Sequence, residues 1–241
     1  MQKEFFHITK EIHKTKYPQA KAIFLAGSLV RGEGTSTSDL DLVIAFEHTF
    51  CAVRESFFFK KWPVEAFVHD PETLEHFFQS DRKTGVPSLI NMVARGVEVP
   101  AANELTISLK QRANLLLEKG PHKWSKKDID GSRYRITDLT DDLRDPRSVH
   151  EMHATATLLY SALATHYCRS KNLWSAKGKA IPNRLRNIDA AFAKKFLESF
   201  EAIFSDGLSQ KVIDLSAEIL EPSGGFLFDG YRREAPSSWR C

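Results

Sequence analysis

Two carboxylates one residue apart, Asp39 and Asp41, are the side chains of this sequence with the clearest chemical potential. Side chains of a strand alternate between its faces, so both aspartates are expected on one face. Carboxylates held this close repel each other unless a cation lies between them. The apolar run 22–26 precedes them and ends at Gly27-Ser28, where a close backbone approach and a hydroxyl occur together. This layout predicts metal ions held against a polyphosphate, such as that of a nucleoside triphosphate.

The order of these features resembles the signature of the DNA polymerase beta-like nucleotidyltransferase superfamily. That signature is an apolar strand, Gly-Ser, about ten residues, and then Asp-apolar-Asp-apolar, as in residues 22–46. A third acidic residue usually follows on a neighbouring strand, and Glu65 stands among apolar residues in 63–68. The segment 64–78, VEAFVHDPETLEHFF, is similar to part of kanamycin nucleotidyltransferase and related aminoglycoside adenylyltransferases. The rest of the chain is similar to those enzymes only as a helical C-terminal domain.

The resemblance implies an α/β (α+β) nucleotidyltransferase domain with a mixed sheet, followed by an all-α helical-bundle domain. It also implies that Asp39, Asp41 and Glu65 are the metal ligands and the catalytic residues. Glu65 would complete the catalytic metal site or serve as general base. Magnesium prefers oxygen ligands and keeps several waters, so three carboxylates and the substrate phosphates are enough to hold two Mg²⁺ ions.

The residues expected to bind the nucleotide come from two parts of the chain. By resemblance, Ser28 would donate a hydrogen bond to the beta or gamma phosphate, helped by the amides of Gly27 and Ser28. Arg31 lies just beyond and is a further candidate for the same anion, although an arginine in a polar loop is more often solvated. Lys177 and Lys179 are candidates because such enzymes often grip the triphosphate with a cation from the helical domain. A flexible surface loop is an equally good interpretation of that second segment.

The other glycine-based phosphate motifs do not fit. The segment 31–34 lacks the Gly-Lys-Ser/Thr ending of a P-loop, and no Gly-x-Gly-x-x-Gly stands between a strand and a helix. The polar segment 32–38 is instead expected to be a surface loop that returns the chain to the sheet.

An acidic stripe in the C-terminal half bears on the acceptor. On a helix over 126–144, Asp138 and Asp142 share one face with two other aspartates, beside an apolar face. Such a stripe would attract a polycationic acceptor such as an aminoglycoside, and one carboxylate would serve as base. The alternative is a solvated face paired with neighbouring arginines, and it is the more common situation. Asp138 and Asp142 are the acceptor-binding candidates.

Composition is that of an ordinary globular enzyme. The 241 residues carry 34 basic and 31 acidic side chains, a net charge of +3 that makes no case for binding long nucleic acid. The three cysteines are far apart in sequence, which argues against a disulfide framework or a zinc site. No apolar run approaches a membrane span, and the N-terminus lacks the apolar core of a signal peptide. These features predict a cytoplasmic protein without a membrane partner.

The chain changes character near residue 100, which predicts two domains. Residues 1–102 are expected to form the nucleotidyltransferase catalytic domain, in which 52–60 and 64–69 are predicted to be two strands joined at 61–63. Residues 103–241 are expected to form a helical-bundle substrate-binding domain with an irregular C-terminal tail. Its helices are predicted at 104–119, 126–144, 147–171, 182–204 and 208–220.

The predicted function is metal-dependent transfer of a nucleoside monophosphate, AMP from ATP or another nucleoside triphosphate, onto a hydroxyl of a small-molecule acceptor. By resemblance, an aminoglycoside-like antibiotic leads among the acceptors. Two alternatives stay open: a protein adenylyltransferase of the minimal or antitoxin type, and a non-catalytic nucleotide-binding module. The sequence leaves both a monomer and a homodimer open, and no apolar stripe demands the dimer.

Overall fold

The computed structural model describes residues 2–35 and 37–240, which divide into two compact units. The first unit is Met1–Pro121 and the second is His122–Cys241. The first unit therefore extends past the predicted boundary at 102/103. It does so because a helix over Glu104–Lys119 packs against the helix that precedes it.

A five-stranded mixed sheet forms the centre of the first unit. Its strands are β1 (Ala22–Ala26), β2 (Leu40–Ala45), β3 (Val53–Phe59), β4 (Trp62–His69) and β5 (Val97–Val99), in the spatial order β3-β4-β2-β1-β5. β2 and β4 are parallel, and the other neighbouring pairs are antiparallel. The mixed sheet confirms the fold class predicted for the N-terminal half.

The first unit also contains helices. They are α1 (Gln2–Thr15), the single turn α2 (Gly27–Val30), α3 (Pro71–Thr84), α4 (Ser88–Arg95) and α5 (Glu104–Lys119). Phe5, Ile8 and Ile12 form the apolar stripe of α1, and they are buried in one cluster with alternate residues of the strands, such as Leu25 and Leu42. This alternation leaves the intervening positions of β2 and β4 on the opposite face of the sheet.

The hairpin between β3 and β4 differs from its predicted form. The sequence suggested strands at 52–60 and 64–69 with a turn at 61–63, but β4 begins at Trp62. Lys60 and Lys61 make a two-residue turn with φ of 46° and 71°. Positive φ at both central residues matches the twist of the flanking strands, which is why two-residue hairpin turns adopt it. Phe59 consequently pairs with Trp62, and this sets the register of the whole hairpin.

The second unit is mostly helical, as predicted. Its helices are α6 (Lys126–Arg144), α7 (Val149–Ser170), α8 (Ile181–Ile188), α9 (Ala190–Asp206) and α10 (Gln210–Leu220). The single helix predicted over 182–204 is wrong, because the chain breaks at Asp189, whose side chain accepts a hydrogen bond from the Phe192 amide and caps α9. In the irregular C-terminal segment Phe226 packs on the core, whereas Trp239 is 77% exposed.

No helix in the part of the chain that the structure describes has both the length and the apolar character needed to cross a membrane.

Candidate metal and nucleotide site

Three carboxylates converge at one end of the sheet. Asp41 on β2 and Glu65 on β4 are direct partners in the parallel register, so their side chains emerge side by side on the same face. Asp39 lies just before β2 and, two residues from Asp41, projects the same way. One oxygen from each of the three carboxylates lies within 4.8 Å of the others. The alternation of two strands and their pairing thus place three carboxylates in one partly buried cluster.

Gly27 stands directly against this cluster. It follows β1, whose last residue Ala26 is paired with Asp41. A Cβ added at Gly27 would lie 1.9 Å from Oδ2 of Asp41, and the residue has a φ of +80°. Both the backbone conformation and the space therefore require glycine here. The close approach brings the start of α2 to the carboxylates.

Hydroxyl groups hold the loop between α2 and β2. Ser28 Oγ donates a hydrogen bond of 3.3 Å to Ser38 Oγ, and Ser38 Oγ accepts one of 2.8 Å from the amide of Thr35. Arg31 is paired with Glu33, with 2.8 Å between Nε and Oε2, and its side chain is 57% exposed. The structure thus puts Ser28 next to Gly27 with its hydroxyl directed at the residue before Asp39. The predicted phosphate ligand Arg31 is paired with the carboxylate of Glu33 instead.

One side chain at the cluster was missed by the sequence analysis. Nη2 of Arg54 on β3 lies 2.8 Å and 2.9 Å from the two carboxylate oxygens of Glu65. Its guanidinium also lies over the ring of Phe67, 5.2 Å from the centroid. The signal that would have found Arg54 is the hairpin register. With a two-residue turn, Arg54 falls opposite Phe67 and therefore on the face of Glu65.

The donor set of the cluster fits a hard divalent cation. All three residues offer carboxylate oxygens, which are the ligands that Mg²⁺ prefers, and a pair of such ions needs little more from the protein. The partial burial of the three side chains leaves room for substrate oxygens and water. Their assignment as metal ligands and catalytic residues remains a prediction.

The remaining predicted site residues belong to the second unit. Lys177 and Lys179 are exposed at the 3₁₀ turn Gly178–Ala180 that precedes α8. Asp138 and Asp142 are exposed on α6, and the neighbouring Asp141 is paired with Arg144 at 3.0 Å. Their assignment to the nucleotide and to the acceptor also remains a prediction.

Comparison with known proteins bears on the first unit. Residues 7–81 match the family model of the nucleotidyltransferase domain. The matched stretch contains β1 to β4 and with them Gly27, Asp39, Asp41 and Glu65. The match supports a nucleotidyltransferase domain over the stretch that contains the carboxylate cluster. The kanamycin-type specificity suggested by the sequence resemblance has no such support.

Two further comparisons concern the whole chain. No curated protein matches the chain. Among solved structures, it is similar to a nucleotidyltransferase-like protein from Exiguobacterium sibiricum 255-15, with 14% sequence identity and a TM-score of 0.46. That alignment covers 90% of this chain and 73% of the other.

Proposed function

We propose that this chain is a metal-dependent nucleotidyltransferase that transfers AMP from ATP to a hydroxyl of a small-molecule acceptor. The observation that carries this proposal is the convergence of the Asp39, Asp41 and Glu65 oxygens within 4.8 Å, beside a glycine that admits no side chain. The nucleotidyltransferase domain match over 7–81 supports the same class of reaction.

Each residue of the cluster has a role in this proposal. Asp39 and Asp41 would hold both divalent cations, and Glu65 would complete the catalytic metal site or take the proton. The ions, when bound, lower the pKa of the attacking hydroxyl and neutralise charge on the polyphosphate. Gly27 and Ser28 would bind the beta or gamma phosphate through their amides and the Ser28 hydroxyl.

The transfer forms one bond and breaks one. The acceptor oxygen attacks the alpha phosphorus, the bond from that phosphorus to the bridging oxygen breaks, and pyrophosphate leaves. The hydroxyl proton passes to a base, for which Glu65 is the candidate in the sheet. The positioning of the two substrates, rather than covalent chemistry by the protein, would supply most of the rate enhancement.

The acceptor is proposed to bind the helical second unit. A cationic acceptor, such as an aminoglycoside, is favoured by the exposed carboxylates of Asp138 and Asp142 on α6. Lys177 and Lys179 would meet the triphosphate. These assignments do not depend on the carboxylate cluster. If they are wrong, the assignment of the cluster is unaffected.

The experiment that tests the proposal is incubation with ATP labelled at the alpha phosphorus, magnesium and a panel of aminoglycosides, lincosamides and cell-extract proteins. We expect label on a small-molecule acceptor, and no label on it when the ATP is labelled at the gamma phosphorus instead. Label on a polypeptide would identify the protein-modifying alternative. Nucleotide binding without any labelled product would favour the non-catalytic alternative.

Two variants decide whether the carboxylate cluster performs the reaction. Asp41→Asn removes a charge and little volume, so it should abolish transfer while the fold stays intact. Glu75→Gln is the matched control, because Glu75 is a carboxylate of the same unit that pairs with Arg112 on α5 instead. Equal activity of Asp41→Asn and the wild type would refute the assignment.

A further inference from the structure

We propose that Arg54 is a counter-ion that competes with divalent cations for Glu65, so that it lowers the metal affinity of the free protein. This inference rests on the proposed metal site. It adds a residue that neither the sequence motif nor the domain match assigns a role.

The geometry of the pair carries the proposal. One nitrogen of Arg54, Nη2, lies within 2.9 Å of each of the two carboxylate oxygens of Glu65. Both of these oxygens therefore face the guanidinium. The same carboxylate contributes the oxygen that lies within 4.8 Å of oxygens from Asp39 and Asp41. The carboxylate of Glu65 therefore contacts the guanidinium of Arg54 and also belongs to the proposed metal site.

The surroundings of Arg54 both orient its side chain and leave it accessible to water. Its guanidinium lies over the Phe67 ring, two residues along β4 from Glu65 and on the same face. Stacking on an aromatic face and bonding to a carboxylate are the two contacts for which a guanidinium is best suited. The side chain is nevertheless 62% exposed, whereas Glu65 is 29% exposed. Arg54 can therefore leave Glu65 without leaving water, at little cost.

The direction of the effect follows from charge. A divalent ion that takes an oxygen of Glu65 must weaken the contact with Nη2 and is repelled by the guanidinium. Removing the guanidinium should therefore tighten metal binding. The opposite hypothesis is that Arg54 only orients Glu65 for the metal, in which case its removal should weaken binding. The two hypotheses predict changes of opposite sign.

The test is a titration of the full chain with Mn²⁺ in the absence of nucleotide, in which free Mn²⁺ is measured by electron paramagnetic resonance. We expect Arg54→Gln to lower the Mn²⁺ Kd by about two- to fivefold, the range that an exposed ion pair supports. Arg54→Lys, which keeps the charge, should stay closer to the wild type. Circular dichroism of each variant establishes that it is folded.

Arg112→Gln is the matched control. Arg112 is a partly exposed arginine of the same unit that also makes two hydrogen bonds to one glutamate, Glu75, and it lies on α5 outside the sheet. Arg112→Gln removes the same charge as Arg54→Gln, but Glu75 is not part of the carboxylate cluster, so the Mn²⁺ affinity of this variant should equal that of the wild type. An equal tightening in Arg112→Gln would overturn the proposal, because it would show a general effect of net charge.

A double-mutant cycle locates the effect at Glu65. In the Glu65→Gln background the substitution Arg54→Gln should tighten Mn²⁺ binding less than it does in the wild type, because the shared carboxylate is gone and only the direct repulsion by the guanidinium is relieved. Unchanged or weaker binding in Arg54→Gln alone, or a tightening that is undiminished without Glu65, would overturn the counter-ion role and leave the proposed metal site standing. Binding that Asp41→Asn does not weaken would overturn the metal site and the counter-ion role together.

Discussion

Gly27 and Asp41 are in such close contact that a methyl group on the glycine would lie 1.9 Å from a carboxylate oxygen of the aspartate. Asp41 is thereby fixed on one side by the backbone of the β1–α2 junction and on the other by its register with Glu65. The position of this carboxylate depends on the absence of a side chain, and that dependence can be tested.

Gly27→Ala should disrupt the cluster. The new Cβ collides with Asp41, and the φ of +80° adds strain of about 1–2 kcal/mol. Gly32→Ala is the control, since Gly32 has a φ of +74° with nothing within 4 Å of the added Cβ. We expect both to lower the free energy of unfolding and only Gly27→Ala to weaken Mn²⁺ binding. Similar Mn²⁺ affinities in the two variants would show that the contact with Asp41 has no role at the site.

Ser28→Ala should weaken triphosphate binding by about 0.5–1.5 kcal/mol, the range of an ordinary hydrogen bond. In the free protein Ser28 donates to Ser38, which in turn holds the Thr35 amide, so loss of Ser28 also touches the loop. A cycle with Ser38→Ala separates the two effects when nucleotide affinity is measured by calorimetry. A direct phosphate contact predicts that Ser28→Ala still weakens binding in the Ser38→Ala background. If it does not, Ser28 acts only through the loop.

Reversal of the charges at Asp138 and Asp142 should raise the KM for a cationic acceptor and leave the KM for ATP unchanged. Both residues are exposed on α6, so substitution by lysine should be tolerated. The double variant Asp206→Lys/Asp214→Lys makes the same change in net charge on α9 and α10 and should behave as the wild type. Equal acceptor KM values in the two double variants would identify the α6 stripe as a solvated surface.

His166 should make stability depend on pH. Its burial, together with the charge of Arg133, lowers its pKa from 6.5 to about 4, and its ring nitrogens meet the hydroxyls of Ser132 and Ser223. The native side chain therefore stays neutral where the unfolded chain takes up a proton. Above pH 6.5 this histidine costs no stability. As the pH drops from 6.5 towards 4, it lowers the free energy of unfolding by about 1.4 kcal/mol per pH unit.

His69 is buried in the first unit with its pKa also lowered to about 4, so the wild type carries at least two such groups. His166→Gln should remove one of them and flatten the pH dependence of the free energy of unfolding by one proton. Urea unfolding at pH 7 and pH 5, followed by tryptophan fluorescence, measures this difference. An unchanged slope would show that the pKa of His166 is not lowered in the native state.

Part of the carboxylate cluster could be predicted from the sequence because its geometry is local. The spacing of Asp39 and Asp41 needs only the alternation of one strand. Glu65 also needs β4 to lie beside β2, a long-range pairing that the sequence suggested only through resemblance to a family. The structure places Asp41 and Glu65 in direct register.

Arg54 was missed because its position depends on a turn that has no recognisable sequence signal. Two-residue hairpin turns with positive φ favour Asn-Gly or Asp-Gly, whereas Lys60-Lys61 carries no such signal. A turn at 61–63 gives a different register, and a change of one residue moves a side chain to the other face of the sheet.

The break between α8 and α9 was missed for a similar reason. No glycine or proline marks it, and an aspartate such as Asp189 is equally compatible with an exposed position in a continuous helix. Only the hydrogen bond to the Phe192 amide shows that it is a cap. The first unit extends to Pro121 because α5 packs within it. A change of composition near residue 100 carries no information about that packing.

The central claim is that Asp39, Asp41 and Glu65 jointly bind divalent cations beside a nucleoside triphosphate. The most direct measurement is the anomalous difference density of crystals grown with Mn²⁺ and a non-hydrolysable ATP analogue. We predict manganese peaks within coordination distance of oxygens from all three carboxylates, with the analogue's phosphates at Gly27 and Ser28. Manganese bound elsewhere, or an analogue bound away from these residues, would contradict the account.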